Sequence, residues 1–168
     1  DGVVAEGALR PSSDTATHLE LYAAFPEIGG IVHTHSHYAT VWAQAGCPIP
    51  CLGTTHADYC PGDVPITGML TEDEVTGEYE RNTGRVIVRR FRDLTPQAFP
   101  GVLVAQHGPF AWGKEVEDAV TSAATLEEIA RMAFHTFSLN RDVTALPSWL
   151  LKRHYERKHG PDAYYGQQ

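Results

Sequence analysis

The run Gly29-Gly30-Ile31-Val32-His33-Thr34-His35-Ser36-His37 sets two histidines one residue apart behind a β-branched apolar pair. A strand leaving a buried core reads this way. Alternate side chains of a strand share a face, so His33 and His35 point the same way, about 6–7 Å apart along the chain. Two imidazoles so placed can share one metal ion, or can be hydrogen-bonded histidines at a sheet edge. Zinc takes three or four N, O or S ligands, so the pair needs company. His107 is the candidate third ligand, because it too ends an apolar strand and is followed by Gly108-Pro109. Asp14, just ahead of a helix, can complete the shell or orient a ligand.

Other residues carry weaker signals. Asp58 follows Gly53-Thr54-Thr55-His56-Ala57 in a loop, where a carboxylate can serve general acid–base chemistry or simply cap a turn. His56, two residues earlier, is a candidate for a supporting role. Ser12 and Ser13 at a helix N-terminus can offer hydroxyls and free N–H groups to an anion, although Ser-Ser-Asp is also an ordinary helix start. The last helical stretch holds Lys152, Arg153, His154, Arg157, Lys158 and His159, a positive island suited to phosphate or a solvated face. His18, His37 and His135 read as surface or packing residues.

These residues need elements to position them. The capping cluster Ser12–Thr15 and the helical spacing of Leu19, Tyr22 and Ala23 predict a helix over Thr15–Ala24. A strand over Gly30–Thr34 and a short helix over Tyr38–Ala45 follow. Cys51–His56 is weakly strand-like. Thr71-Glu72-Asp73-Glu74 has capping-box form and predicts a helix ending near Gly84. Arg85–Arg89 reads as a strand by its β-branched content, and Gly101–Val104 as another. Glu115–Leu139 is the best periodic segment, a long helix with a core-facing apolar stripe. A last helix covers Ser148–Lys158. The order implies one sheet, partly antiparallel, with helices on both faces.

Composition narrows the function. At 168 residues the chain suits one domain, and a net charge of −8 argues against nucleic-acid or anionic-membrane surfaces. No apolar run is long enough to span a bilayer. The cysteines, Cys47, Cys51 and Cys60, lack C-x-x-C spacing and read as reduced, buried thiols of a cytoplasmic protein.

Six stretches in order then resemble a known family. They are Arg10–Asp14, Gly29–Ser36, Gly53–Tyr59, the His107-Gly108-Pro109-Phe110-Ala111-Trp112-Gly113 run, His154–Gly160 and Ala163-Tyr164-Tyr165-Gly166-Gln167. Together they are similar to the L-ribulose-5-phosphate 4-epimerases of the class II aldolase/adducin family. The resemblance implies an α/β fold, a three-layer α/β/α sandwich with a central mainly antiparallel sheet. It implies one zinc per subunit on residues matching His33, His35 and His107, with an acidic residue matching Asp14. It implies an acid/base pair matching Asp58 and Tyr165, the tyrosine coming from the adjacent subunit of a homotetramer. Phosphate contacts match Ser12 and Ser13, with His154 and Arg157 as helpers. The implied reaction interconverts L-ribulose 5-phosphate and D-xylulose 5-phosphate by retro-aldol cleavage and re-formation of the C3–C4 bond. Arabinose breakdown is the pathway the resemblance implies. A fuculose- or rhamnulose-phosphate aldolase and a non-catalytic adducin-like module are the alternatives. Residues 1–168 are expected to form one domain that lacks the family's N-terminal segment, and to bind substrate poorly by themselves.

Overall fold

The computed structural model describes residues 3–164. Helix α1 (Thr15–Ala24) leads into strand β1 (Gly30–His33) and helix α2 (His37–Gln44). Three helices follow, α3 (Thr54–Ala57), α4 (Glu72–Thr76) and α5 (Tyr79–Arg90). Strands β2 (Gly101–Val104) and β3 (Gly108–Gly113) precede the long helix α6 (Val116–Leu139) and helix α7 (Ser148–His159). Among the described residues no helix is long and apolar enough to cross a membrane.

The sheet is antiparallel with order β1-β3-β2. Its register pairs Gly30 with Gly113 at one end of the β1–β3 ladder and His33 with Phe110 at the other. Alternation along the strands separates two cores. Val102, Val104, Phe110 and Trp112 meet Leu21 and Phe25 of α1 and Val86, Ile87 and Phe91 of α5. Leu103 turns the other way and meets Ala39 and Ala43 of α2 with Leu126, Ile129, Ala130 and Ala133 of α6. This is an α/β fold with helices covering a small antiparallel sheet.

Three expectations need correction. Arg85–Arg89 is not a strand but the second half of α5. Its β-branched residues serve a helical stripe: Thr83, Val86 and Ile87 are buried together at i, i+3 and i+4. Gly84 does not end a helix either. A Cβ there would lie 2.6 Å from Glu20 Cβ and 3.0 Å from the Thr17 carbonyl, so the glycine marks where α1 crosses α5. The capping box is real, with Thr71 and Glu74 exchanging hydrogen bonds, but α4 stops at Thr76. Cys51–His56 likewise holds no strand; its second half starts α3.

Strand β3 lies outside the elements that the sequence predicts, because Gly108, Pro109 and Gly113 discourage a strand. Pro109 sits opposite Leu103, whose N–H donates to Pro65 O and whose carbonyl accepts from Thr67 N. Leu103 therefore asks nothing of Pro109, and the missing N–H costs that pairing nothing.

Candidate metal centre

The donor atoms of His33, His35 and His107 all lie within 4.8 Å of one another. The ring centroids are 4.8–5.1 Å apart and meet edge-on. Each histidine reaches this point by a different device. His33 ends β1, and its ring stacks on Phe110 at 4.0 Å. Its Nδ1–H donates to Pro109 O at 2.9 Å. A carbonyl only accepts, so Nε2 keeps its lone pair for a metal. His107 sits in the tight turn from β2 to β3, where its N–H donates to Val104 O and Gln106 takes φ +58°. His35 is exposed in the link from β1 to α2.

Burial lowers the pKa of His33 and His107 below the ordinary imidazole value, and neighbouring histidines push the same way. Asp14 opposes both shifts, which places its carboxylate in the field of the cluster. Asp14 stands at the N-cap of α1 yet makes no side-chain capping bond, so its oxygens remain available. Ser12 and Ser13 are exposed on the same turn, where Ser12 Oγ accepts the Asp14 N–H at 3.2 Å.

The set fits a metal ion. Tetrahedral zinc with Zn–N near 2.0–2.1 Å needs donors about 3.3 Å apart, a small contraction from what is present. Imidazoles plus a carboxylate, with no thiolate, also accept manganese or cobalt. His33, His35 and His107 could thus hold a divalent ion with Asp14 beside them.

Asp58 and its partners lie elsewhere. Its carboxylate accepts from Arg157 Nη2 at 2.8 Å and from His154 Nδ1 at 3.1 Å, with Lys158 Nζ 3.7 Å away. His159 Nε2 donates to the Asp58 carbonyl at 2.9 Å, and Tyr155 stacks on the His159 ring at 4.6 Å. Burial alone would raise the Asp58 carboxyl, but the Arg157 and His154 hydrogen bonds and the Lys158 charge hold it below its usual range. Asp58 and His159 rim a cleft whose other walls include Ile28, Trp112, Gly113 and Lys114. That is the Gly30–Gly113 end of the ladder, about 10 Å down β1 from His33 at ~3.3 Å per residue. Within one chain, Asp58, His154 and Arg157 do not join the histidines, and His154 and Arg157 bind Asp58. Tyr165 falls outside the described residues.

Several neighbours escaped the sequence reading. His18, one turn after Asp14 on α1, feels both Asp14 and His33, and its ring lies 6.2 Å from Phe110. The Asp14–His18 spacing of four on a helix was the available signal. Tyr79 Oη lies 3.5 Å from His107 Nδ1, a contact across 28 residues with no local sign. His56 is buried on α3, its pKa lowered to about 4 by burial, and does not join the cluster. Cys51 and Cys60 are buried with thiols pushed up to about 11 and about 12, whereas Cys47 is exposed.

The chain is thus an α/β protein whose small antiparallel sheet gathers three histidines at one end. Residues 1–134 match the Class II Aldolase and Adducin N-terminal domain, and the chain belongs to that family. It is similar in structure to an L-fuculose 1-phosphate aldolase, with 24% identity and TM-score 0.71 over 90% of this chain and 66% of that one. YgbL from Klebsiella pneumoniae, a candidate aldolase/epimerase/decarboxylase, shows 26% identity and TM-score 0.65 over 88% and 67%. The l-fuculose-1-phosphate aldolase from Thermus thermophilus shows 20% and 0.62 over 84% and 68%. The chain therefore spans about two thirds of the length of these relatives.

Proposed function

We propose that this chain belongs to a zinc-dependent sugar-phosphate epimerase that interconverts L-ribulose 5-phosphate and D-xylulose 5-phosphate. The observation that carries the reading is the three-histidine cluster with Asp14 at its side. A divalent ion held by His33, His35 and His107 would supply Lewis-acid stabilisation of the negative charge left when C3–C4 breaks. The C4 hydrogen is not acidic, so inversion at C4 requires that break. As it opens, the C4 hydroxyl gives up its proton and glycolaldehyde phosphate forms. The aldehyde turns, C3 attacks its other face, and the new C4 oxygen takes a proton from the opposite side.

Two proton-transfer groups are needed, and Asp58 and Tyr165 fill those roles. Asp58, held ionised by Arg157 and His154, is the proton acceptor in one direction and donor in the other. In this reading Ser12 and Ser13 contact the phosphate, which their exposure just ahead of α1 supports. A proton-transfer group must come within about 2.6–3.2 Å of its substrate atom. Asp58 stands at the far end of the sheet from its own histidines, so its target is a sugar held by a neighbouring copy. This placement supports a homotetramer with sites between subunits.

The aldolase reading draws on the likeness to fuculose-phosphate aldolases. Asp14 stands where, in the resemblance, those aldolases use a glutamate base, which favours the epimerase. NMR of L-ribulose 5-phosphate with the full-length protein separates the two. Conversion to D-xylulose 5-phosphate that stops with chelator is expected; release of free aldehyde without interconversion makes the protein an aldolase.

A further inference from the structure

Helix α2 begins two residues after His35, and its first turn is held in an unusual way. Ser36 occupies the N-cap position but makes no side-chain capping bond. The orphan donors of the first turn go instead to Glu127, which comes from α6. Tyr38 N donates to Glu127 Oε1 and Ala39 N to Oε2, both at 2.9 Å, across 89 and 88 residues. A carboxylate suits a helix N-terminus, where unpaired N–H groups and the helix dipole both favour negative charge. Both oxygens are engaged, so Glu127 is not itself a spare ligand.

His35 depends on this brace more than the other two histidines do. His33 is fixed by Phe110 stacking and by Pro109 O. His107 is fixed by its turn, where Gln106 N donates to Ala43 O at 2.8 Å and His107 N to Val104 O at 3.0 Å. The exposed His35 ring meets its fellows only edge-on, and its place follows from the backbone between β1 and α2. That backbone has little slack on its other side, since a Cβ on Gly108 would come within 2.9 Å of Thr34 O and 3.2 Å of His35 Cδ2.

We propose that Glu127 is a positioning residue of the metal centre, holding His35 in place by bracing the first turn of α2. The proposal rests on the reading of His33, His35 and His107 as metal ligands. Its test is Co2+ uptake by the full-length metal-free protein, followed by visible absorption and by chelator competition. Glu127→Ala should weaken metal affinity about 10- to 100-fold, the range for lost supporting contacts, and alter the Co2+ bands. Glu127→Gln keeps one acceptor oxygen, should weaken binding less, and carries the test where the alanine variant does not fold. Tyr38→Phe is the control: it removes the hydroxyl that sits 3.1 Å from His135 Nε2 on the same α2–α6 face, yet leaves the brace intact. Tyr38→Phe should bind metal as the parent does. Parental affinity and spectrum in both Glu127 variants overturn the proposal alone. An equal loss in Tyr38→Phe also overturns it, since general docking of α2 on α6 is then what matters. A parent protein that takes up no Co2+ overturns the metal reading itself, and the Glu127 proposal with it.

Discussion

At the His33–Phe110 end of the β1–β3 ladder, three imidazoles bring their donor atoms within 4.8 Å of one another, and burial lowers the pKa of His33 and His107. At the Gly30–Gly113 end, one carboxylate is gripped by a guanidinium, an imidazole and a nearby ammonium. The three imidazoles of the first arrangement could hold a metal ion. The second already has its cations and needs nothing more to be stable. One end could thus receive a ligand, whereas the other holds a carboxylate in a set direction and charge state, the proton-transfer group of the proposed reaction.

Breaking the histidine end should have the largest effect. His33→Ala or His107→Ala removes one donor in three and should abolish stoichiometric metal binding. Turnover should fall by at least about 10³-fold, since Lewis-acid stabilisation is worth several kcal/mol and each ~1.4 kcal/mol is tenfold. Asp58→Asn should lose turnover yet bind metal normally. Metal analysis beside a kinetic assay reads both, and metal loss in Asp58→Asn would show that the two ends are not independent.

The Asp58 end is broken more gently. Arg157→Ala removes charge-assisted hydrogen bonds to a carboxylate whose side chain is 16% exposed. It should cost about 1.5–3 kcal/mol, read as a lower unfolding midpoint, with metal affinity unchanged. The pH dependence has a fixed sign. Asp58 has a folded pKa below its unfolded value near 3.8, so its stabilisation is complete above that value and fades as pH falls through the lower folded one. Unfolding midpoints of the parent and Asp58→Asn should differ at pH 6 and converge below about pH 3.8. A constant gap down to the lowest pH would mean that Asp58 contributes through packing alone.

The two ends were also unequally legible in the sequence. His33, His35, His107 and Asp14 each stood beside a local sign, a strand end or a helix start, and the structure gathers the three histidines with Asp14 in their field. The grip on Asp58 spans 96 to 101 residues and joins a four-residue helix to the chain's last one, so no local pattern announced it. Lys152–His159 reads in the sequence as a phosphate site or a solvated face, because Asp58 lies 96 residues before His154 and 101 before His159. The same limit hid Glu127, which meets the first turn of α2 across 88 and 89 residues. It also turned Arg85–Arg89 into a strand, since β-branched content was legible and the crossing of α1 over Gly84 was not. Helix α6 was found because its stripe repeats over 24 residues, enough for periodicity to outweigh local exceptions.

The smallest effect sharpens the comparison at a single backbone angle. Gln106 holds φ +58°, a left-handed conformation that costs an L-residue roughly 1 kcal/mol or more and that glycine adopts freely. This strain sits in the turn that presents His107, and the Asp58 end has no counterpart among the described non-glycine residues. Gln106→Gly relieves it and frees the unfolded chain, two effects of opposite sign, so the unfolding midpoint should shift by no more than about 1 kcal/mol. The looser turn should hold His107 less firmly, and Co2+ affinity should drop a few-fold although stability hardly moves. A variant with lower stability and unchanged affinity would instead place the turn's rigidity in the fold at large, with no special bearing on the histidines.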